Sequence, residues 1–119
     1  MKYLCLIYVD EASRANHSKE EGDAIFGEYM EFTEDIRKSG HILGGEALQP
    51  TQTATTVRVR NGKVSTTDGP FAETKEHLGG YYVFDLPSID EAIVWADKMP
   101  NVGYGSVEIR PVVDFSQTS

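Results

Sequence analysis

The stretch ATTVRVRNGKVSTTDG, residues 54–69, carries the clearest structural signal in the chain and divides it into two similar halves. Val57 and Val59 alternate with arginines, which is the period-two pattern of a strand. Asn61 and Gly62 accept the positive φ angles that a type I′ turn requires, and the residues after them return as a partner strand. The pattern therefore predicts a β-hairpin in the middle of the chain.

The half before the hairpin predicts a strand, a helix and a second strand. Residues 3–9 are apolar on both faces, as expected of a strand that is covered on both sides. Ser18 and Glu21 form a capping box, and Gly40 is a natural left-handed stop, so a helix lies between them. Residues 41–47 predict the second strand. The helix carries an apolar stripe at 3.6-residue spacing, formed by Ile25, Tyr29, Phe32 and Ile36.

The half after the hairpin repeats this order. Residues 79–86, GGYYVFDL, predict a strand, and Ser88 with Glu91 forms a second capping box. Pro100 ends the helix that follows, and residues 105–113 predict the last strand. The apolar face of the second helix is assigned to Ile89, Ala92, Ile93 and Ala96.

Two strand–helix–strand halves around a hairpin predict an α+β fold, a ferredoxin-like sandwich with an inserted β-hairpin. The chain forms a single domain, residues 1–119, in which residues 113–119 are expected to fray. Both helices of such a sandwich cover one face of the sheet. The opposite, apolar face then needs cover, for which an identical subunit is the simplest source. A long loop folded over that face is the alternative.

Composition limits the classes of function. The chain has 119 residues and a net charge of −8, which disfavours nucleic-acid binding because a phosphate backbone repels it. The single cysteine, Cys5, indicates a reducing compartment, and we expect a cytoplasmic protein. No segment is long enough to span a membrane. The histidines show no metal-ligand spacing and no glycine-rich phosphate motif occurs, so no metal or other cofactor is expected.

The loop after the hairpin gathers titratable groups. Asp68 suits an Asx-type turn, or it lies at the mouth of a cleft as a catalytic base or acceptor. Glu73 and Lys75 follow closely; they belong to a solvated turn or bind a ligand. Because Phe71 stands between these groups, we expect part of the loop to pack inward.

Other candidate groups lie elsewhere in the chain. His41, at a helix-to-strand turn, and His77, at the end of the loop, are candidate general bases near neutral pH. His17, just before the first cap, is interpreted as structural. Glu108 and Arg110 project from one strand face, where they form an ion pair or bind a ligand carboxylate through the arginine.

The segment TDGPFAETKE, residues 67–76, together with most of the remaining chain, resembles the DGPF branch of the YCII-related proteins. The resemblance implies a ferredoxin-like fold that dimerises sheet to sheet into a dimeric α+β barrel. Relatives include a chloromuconolactone dehalogenase, and some members are associated with extracytoplasmic-function sigma factors. A His-Asp pair with its histidine in the first helix has been suggested as catalytic in such relatives. This sequence has no histidine between Ser18 and Ser39.

Two hypotheses about function follow. The first is a cytoplasmic homodimer that binds a small molecule in a cleft rimmed by the TDGPFAETKE loop. The alternative is a cofactor-free lyase, isomerase or dehalogenase that acts on a small acidic or lactone substrate by acid-base catalysis. Asp68 and His41 are the catalytic candidates of the second hypothesis, and Glu73, Lys75, Arg110 and Glu108 are the ligand-binding candidates. A regulatory partner of a sigma factor is a further alternative.

Overall fold

The structure is a computed structural model that describes residues 1–12, 16–72, 74–100 and 105–117. Its two helices lie on one face of a four-stranded sheet, and a two-stranded hairpin stands apart from that sheet. In chain order the elements are β1 (Lys2–Val9), α1 (Lys19–Ser39), β2 (Ile42–Ala47), β3 (Thr55–Arg60), β4 (Lys63–Asp68), β5 (His77–Asp85), α2 (Ile89–Asp97) and β6 (Gly105–Pro111). Short 3-10 turns occupy Thr51–Thr53 and Phe115–Gln117.

The strand order of the main sheet is β2-β5-β1-β6, and all three neighbouring pairs are antiparallel. This is the order of a ferredoxin-like sandwich, so the predicted α+β architecture is confirmed. The hairpin β3–β4 forms its own two-stranded sheet, as the alternating valines indicated.

The core lies between the two helices and one face of the sheet. Strand β1 alternates, with every second side chain buried and the intervening ones half-buried. This alternation matches a strand whose one face packs under helices. The buried residues of the cluster are Tyr3, Cys5, Ile7, Val9, Phe32, Ile36, Phe84, Leu86, Ala92 and Met99.

The predicted caps and turns are confirmed by the backbone. The Ser18 hydroxyl accepts a hydrogen bond from the Glu21 amide at 3.1 Å, and Gly40 ends α1 with a φ of 77°. Asn61 and Gly62 have φ angles of 53° and 75°, as a type I′ turn demands. Local signals therefore placed these helix and hairpin boundaries correctly.

The apolar face predicted for α2 is partly wrong. Ala92 and Ala96 are buried as expected, but Ile89 and Ile93 are 42% and 53% exposed. Each residue turns a helix by about 100°, so Ile93 points well away from the direction of Ala92. The buried stripe instead runs through Ala92 and Ala96 to Met99, which lie at i, i+4 and i+7 on one side of the helix and the turn after it.

Membrane insertion and metal binding each require features that can be sought among the described residues. Among the described residues, neither helix has the length and apolar character needed to cross a bilayer. Within the same residues, no group of three or more histidine, cysteine, aspartate or glutamate side chains is arranged to hold a metal ion.

Candidate ligand-binding site

A cleft of about 630 Å³ opens between the first half of α1 and the sheet. Its floor is the helix-side face of β1, β5 and β2, and its roof is the helix. The volume falls within the roughly 300–1,000 Å³ usual for small-molecule sites. The lining residues are Ile7, Val9, Asp10, His17, Ser18, Gly22, Ile25, Phe26, Tyr29, Met30, Thr33, Gly45, Glu46, Ala47, Gly79, Gly80 and Tyr82.

Small residues account for the space. Gly45 in β2 lies opposite Tyr82, and Gly80 in β5 lies opposite Ala47, so this end of the sheet presents little bulk toward the helix. At Gly45 a Cβ atom would lie 2.8 Å from the Tyr82 ring and 2.7 Å from the Tyr81 carbonyl oxygen. The glycine therefore permits the close approach of β2 to β5 and leaves the volume above them open.

The second half of α1 closes the cleft on its inner side. There Phe32 and Ile36 are buried against the sheet, whereas Tyr29 and Ile25, one and two turns before Phe32, are only half-buried. The predicted apolar stripe thus has two functions along its length. Its C-terminal residues build the core, and its N-terminal residues line the cleft.

Aromatic rings make the inner wall rigid. The Phe32 ring meets the Tyr82 ring edge-on with centroids 5.5 Å apart, and Tyr82 stacks on Phe84 at 5.7 Å. Such ring pairs hold each other in defined orientations. The Tyr82 hydroxyl and the Thr33 hydroxyl lie 3.2 Å apart and form a hydrogen bond across the wall.

The polar lining includes the carboxylate residue Asp10 and the imidazole residue His17. Glu46 also borders the cleft, but it pairs with Tyr81 in the sheet, which directs its side chain to the helix-free face. Across the described lining residues there is no lysine or arginine. The described lining therefore presents a carboxylate and an imidazole beside a mostly apolar surface.

A hydrogen-bonded contact anchors the rim. The Glu11 carboxylate accepts from the Thr51 amide at 3.0 Å and from the Thr51 hydroxyl at 2.7 Å. This contact joins the segment that leaves β1, next to Asp10, to the turn that follows β2. Charge-assisted pairs of this kind hold loops in one place, so the mouth of the cleft is tied to the sheet.

The model for the YCII-related domain matches residues 1–116 of the chain. The chain belongs to the YCII-related family. It is 37% identical over 114 residues to an uncharacterized protein of Rhizobium meliloti (strain 1021), covering 94% of this chain and 92% of the relative.

A solved structure resembles the whole chain of this YCII-related protein. It is 5-chloro-2-hydroxyhydroquinone dehydrochlorinase (TftG) from Burkholderia phenoliruptrix AC1100, in complex with 2,5-dihydroxybenzoquinone. The TM-score is 0.57 with 12% sequence identity, and the match covers 100% of both chains. At that identity the likeness establishes the fold alone.

The predicted site residues that the structure describes do not line the large cleft of this YCII-related protein. His41 is at the other end of the sheet, where its Nδ1 atom lies 3.0 Å from the Asp85 carbonyl oxygen. Arg110 pairs with Glu108 at 2.6 Å, close to the helix-free face. Asp68 ends the exposed hairpin.

The TDGPFAETKE loop rims a second, smaller cleft of about 330 Å³ at the base of the hairpin. Pro70 and His77 line it, together with the turn after β2. Lys75 is exposed, and Glu73 lies outside the described residues. Glu76, the residue after Lys75, accepts a hydrogen bond from the Ser106 hydroxyl at 2.7 Å and so connects the loop to β6.

Phe71 does not pack inward as the sequence suggested. Its side chain is 74% exposed, and its ring lies 5.3 Å below the Arg58 guanidinium of the hairpin. The ring therefore makes a cation–π contact with the arginine while it stays at the surface, where the loop runs beside the hairpin.

Sequence reasoning missed the polar groups of the large cleft. His17 was interpreted as structural, and Asp10 was not singled out. A usable signal was present in the pairs Gly44-Gly45 and Gly79-Gly80. Two strands that each carry a glycine pair at one end can leave a cavity where they meet, but only their pairing shows that they do meet.

Proposed function

We propose that this YCII-related protein binds a small, uncharged, hydroxylated ring compound in the cleft between α1 and the sheet. The observation that carries the proposal is the lining itself, which is mostly apolar and contains Asp10 and His17. Carboxylates accept hydrogen bonds from ring hydroxyls, whereas they repel an acidic ligand. The sequence led us to expect a small acidic or lactone ligand, and the proposal favours a neutral one.

The named chemistry of the structural neighbour supports a hydroxylated ring as the ligand. That enzyme acts on a chlorinated hydroxyhydroquinone and was solved with a dihydroxybenzoquinone. Both are hydroxylated rings of a size that a cleft of about 630 Å³ accommodates.

The binding test uses a matched pair of ligands and a matched pair of variants. Orcinol and 3,5-dihydroxybenzoate differ at one ring position, where the first has a methyl group and the second a carboxylate. We expect calorimetry to detect binding of orcinol and much weaker binding of the acid. Gly22→Leu adds a side chain to the cleft lining, whereas Gly27→Leu adds one elsewhere on α1. Orcinol binding should be lost in the first variant and kept in the second. Equal binding by both variants would refute the site.

An enzymatic function is the second candidate, because His17 and Asp10 line the same cleft. After one ring hydroxyl ketonises and its proton moves to the carbon that bears chlorine, His17 would accept the proton of the hydroxyl para to the new carbonyl. The electrons of that O–H bond would form the second quinone carbonyl as the C–Cl bond breaks and chloride leaves, and Asp10 would favour the imidazolium that results. Wild-type protein should release chloride from 5-chloro-2-hydroxyhydroquinone. His17→Gln should abolish release, while His77→Gln, at the smaller cleft, should retain it. If the wild type releases no chloride, the enzymatic function is refuted and only the binding function stands.

We also propose that the protein is a cytoplasmic homodimer in which the helix-free faces of the two sheets are buried against each other. On that face Leu4, Leu6 and Tyr8 of β1 lie beside Tyr81 and Val83 of β5, all half-buried. A second sheet packed there would complete the dimeric α+β barrel. Sedimentation should give about twice 13.2 kDa.

Two surface variants test the dimer. Leu6→Glu places a charge in the centre of the helix-free face and should give a monomer. Ile93→Glu, on the exposed side of α2, should leave the mass unchanged. A wild-type monomer would show that the sheet face is not an interface.

A further inference from the structure

The hairpin β3–β4 projects from the body of the molecule; residues 55–68 are called the arm below. The radius of gyration is 16.6 Å, compared with about 13.5 Å for a compact domain of this length. A lone two-stranded hairpin is only marginally stable in water, so an arm of this kind gains from a partner surface.

The arm has an apolar face. Val59 pairs with Val64 across the two strands, and Val57 lies two residues before Val59 on the same side. These three side chains are 56%, 69% and 59% exposed, respectively. The valine face is therefore a contiguous apolar surface that the chain itself does not cover.

The opposite face of the arm is basic, with Arg58, Arg60 and Lys63. The arm carries three basic residues and one acidic residue, a net charge of +2. Because the whole chain has a net charge of −8, the residues outside the arm carry −10. Two arms placed face to face would bring six bases together, which like-charge repulsion disfavours. The charges instead favour contact between an arm and the body of another molecule.

The body offers a matching surface on α1. Phe26 and Met30, one turn apart, are 67% and 56% exposed and form an apolar stripe. Asp23 and Glu34 flank this stripe on the side away from the sheet, as helical geometry places them. Helix α1 as a whole contains seven acids and three bases. An apolar stripe beside acids complements an arm that has valines and bases.

We propose that the valine face of the arm docks on the Phe26–Met30 stripe of a second copy of this chain. Both surfaces are exposed within one chain, so the arm does not reach its own stripe in this structure. Each copy provides one arm and one stripe, so a reciprocal exchange between two copies satisfies both surfaces and closes a twofold dimer.

The dimensions allow the arm to act within the dimer proposed above. A six-residue strand is about 20 Å long, whereas two packed sheets lie about 10 Å apart. An arm can therefore pass the edge of the partner's sheet and reach its helical layer. Because Phe26 and Met30 also line the cleft, a docked arm covers the mouth of the partner's cleft.

Disulfide trapping between two differently tagged copies tests the contact. One copy carries Val64→Cys on the arm, and the other carries Gly27→Cys, which leaves the apolar stripe and its acids intact. Native Cys5 does not interfere, because it is fully buried and burial raises the pKa of its thiol to about 11. Glu28→Cys, on the other side of α1 from Met30, is the matched control.

We expect mixed disulfide between the Val64→Cys and Gly27→Cys copies, at about tenfold the amount seen with Glu28→Cys, because a disulfide needs Cβ atoms within about 4 Å. Added salt should slow trapping, since the arm and body attract each other through opposite charges. Absence of the mixed product, or equal trapping at both helix positions, would overturn the proposal. Neither result depends on ligand binding, and the Leu6→Glu measurement reports on the sheet face separately.

Discussion

The hydroxyls of Thr33 and Tyr82 lie 3.2 Å apart and join helix α1 to strand β5 at the inner wall of the cleft. Both residues line the cleft, so this hydrogen bond belongs to the fold and to the site. It lies between the C-terminal half of α1, which packs in the core, and the N-terminal half, which covers the cleft.

The first prediction concerns this pair. Tyr82→Phe and Thr33→Val should each lower the free energy of unfolding, and the double variant should lose less than the sum of the two. The coupling energy should be about 1 kcal/mol, the usual net value of a neutral hydrogen bond. Urea unfolding of the four proteins measures it. A coupling energy of zero would show that the two hydroxyls do not interact in solution.

The second prediction compares two adjacent glycines in β2. A Cβ atom at Gly45 would collide with the backbone of Tyr81 and the ring of Tyr82, whereas at Gly44 nothing lies within 4 Å. Gly45→Ala should therefore destabilise the protein by about 1–3 kcal/mol, as overpacking does. Gly44→Ala should cost far less. Thermal unfolding distinguishes them, and equal melting temperatures would contradict the close approach of β2 to β5.

The third prediction contrasts two phenylalanines. Phe84 is fully buried, so Phe84→Ala should cost about 3–5 kcal/mol through lost contacts and a cavity. Phe71 is 74% exposed and contacts Arg58, so Phe71→Ala should cost under about 1 kcal/mol. Denaturant unfolding measures both. A large loss in Phe71→Ala would mean that the loop packs inward in solution after all.

The fourth prediction concerns acid stability. The terminal ammonium of Met1 donates a hydrogen bond to Asp85 at 2.9 Å and lowers the pKa of that carboxyl below its ordinary value of 3.8. A lowered folded-state pKa stabilises the protein above pH 3.8, and this contribution is lost as the pH falls through the folded-state pKa.

Asp85→Asn should therefore lower the free energy of unfolding at neutral pH and leave it nearly unchanged in strongly acidic solution. The difference between the two conditions should be smaller than in the unmodified protein. A one-residue extension ahead of Met1 moves the ammonium away and should reproduce the effect with Asp85 intact. Carboxyl NMR titration of Asp85 provides the direct measurement. An ordinary pKa in the unmodified protein would refute the contact.

The elements of the fold were accessible from the sequence because their signals are local. Ser18, Gly40 and the Asn61-Gly62 pair each specify a backbone geometry within a few residues of themselves. The apolar period along α1 likewise needs no knowledge of the rest of the chain. Together these signals predicted the order of helices and strands from which the ferredoxin-like topology follows.

The candidate site was accessible only in part. The TDGPFAETKE loop does border a cleft, but the larger cleft is formed by groups 70 or more residues apart in sequence, such as Asp10 and Gly80. Their proximity depends on the register between β1 and β5, which a single sequence does not specify. His17 was set aside for this reason, since nothing beside it in the sequence indicates a cavity.

The sequence by itself determined which segments of this protein become helices, strands and turns, and that its body is acidic. Tertiary structure alone decided that Ile93 faces outward while Ala92 is buried, and that β2 pairs with β5, which places Gly45 and Gly80 on neighbouring strands below α1. The physical reason is the range of the interactions. Backbone preferences and caps act between near neighbours, whereas burial and cavities depend on what distant segments bring to the same place.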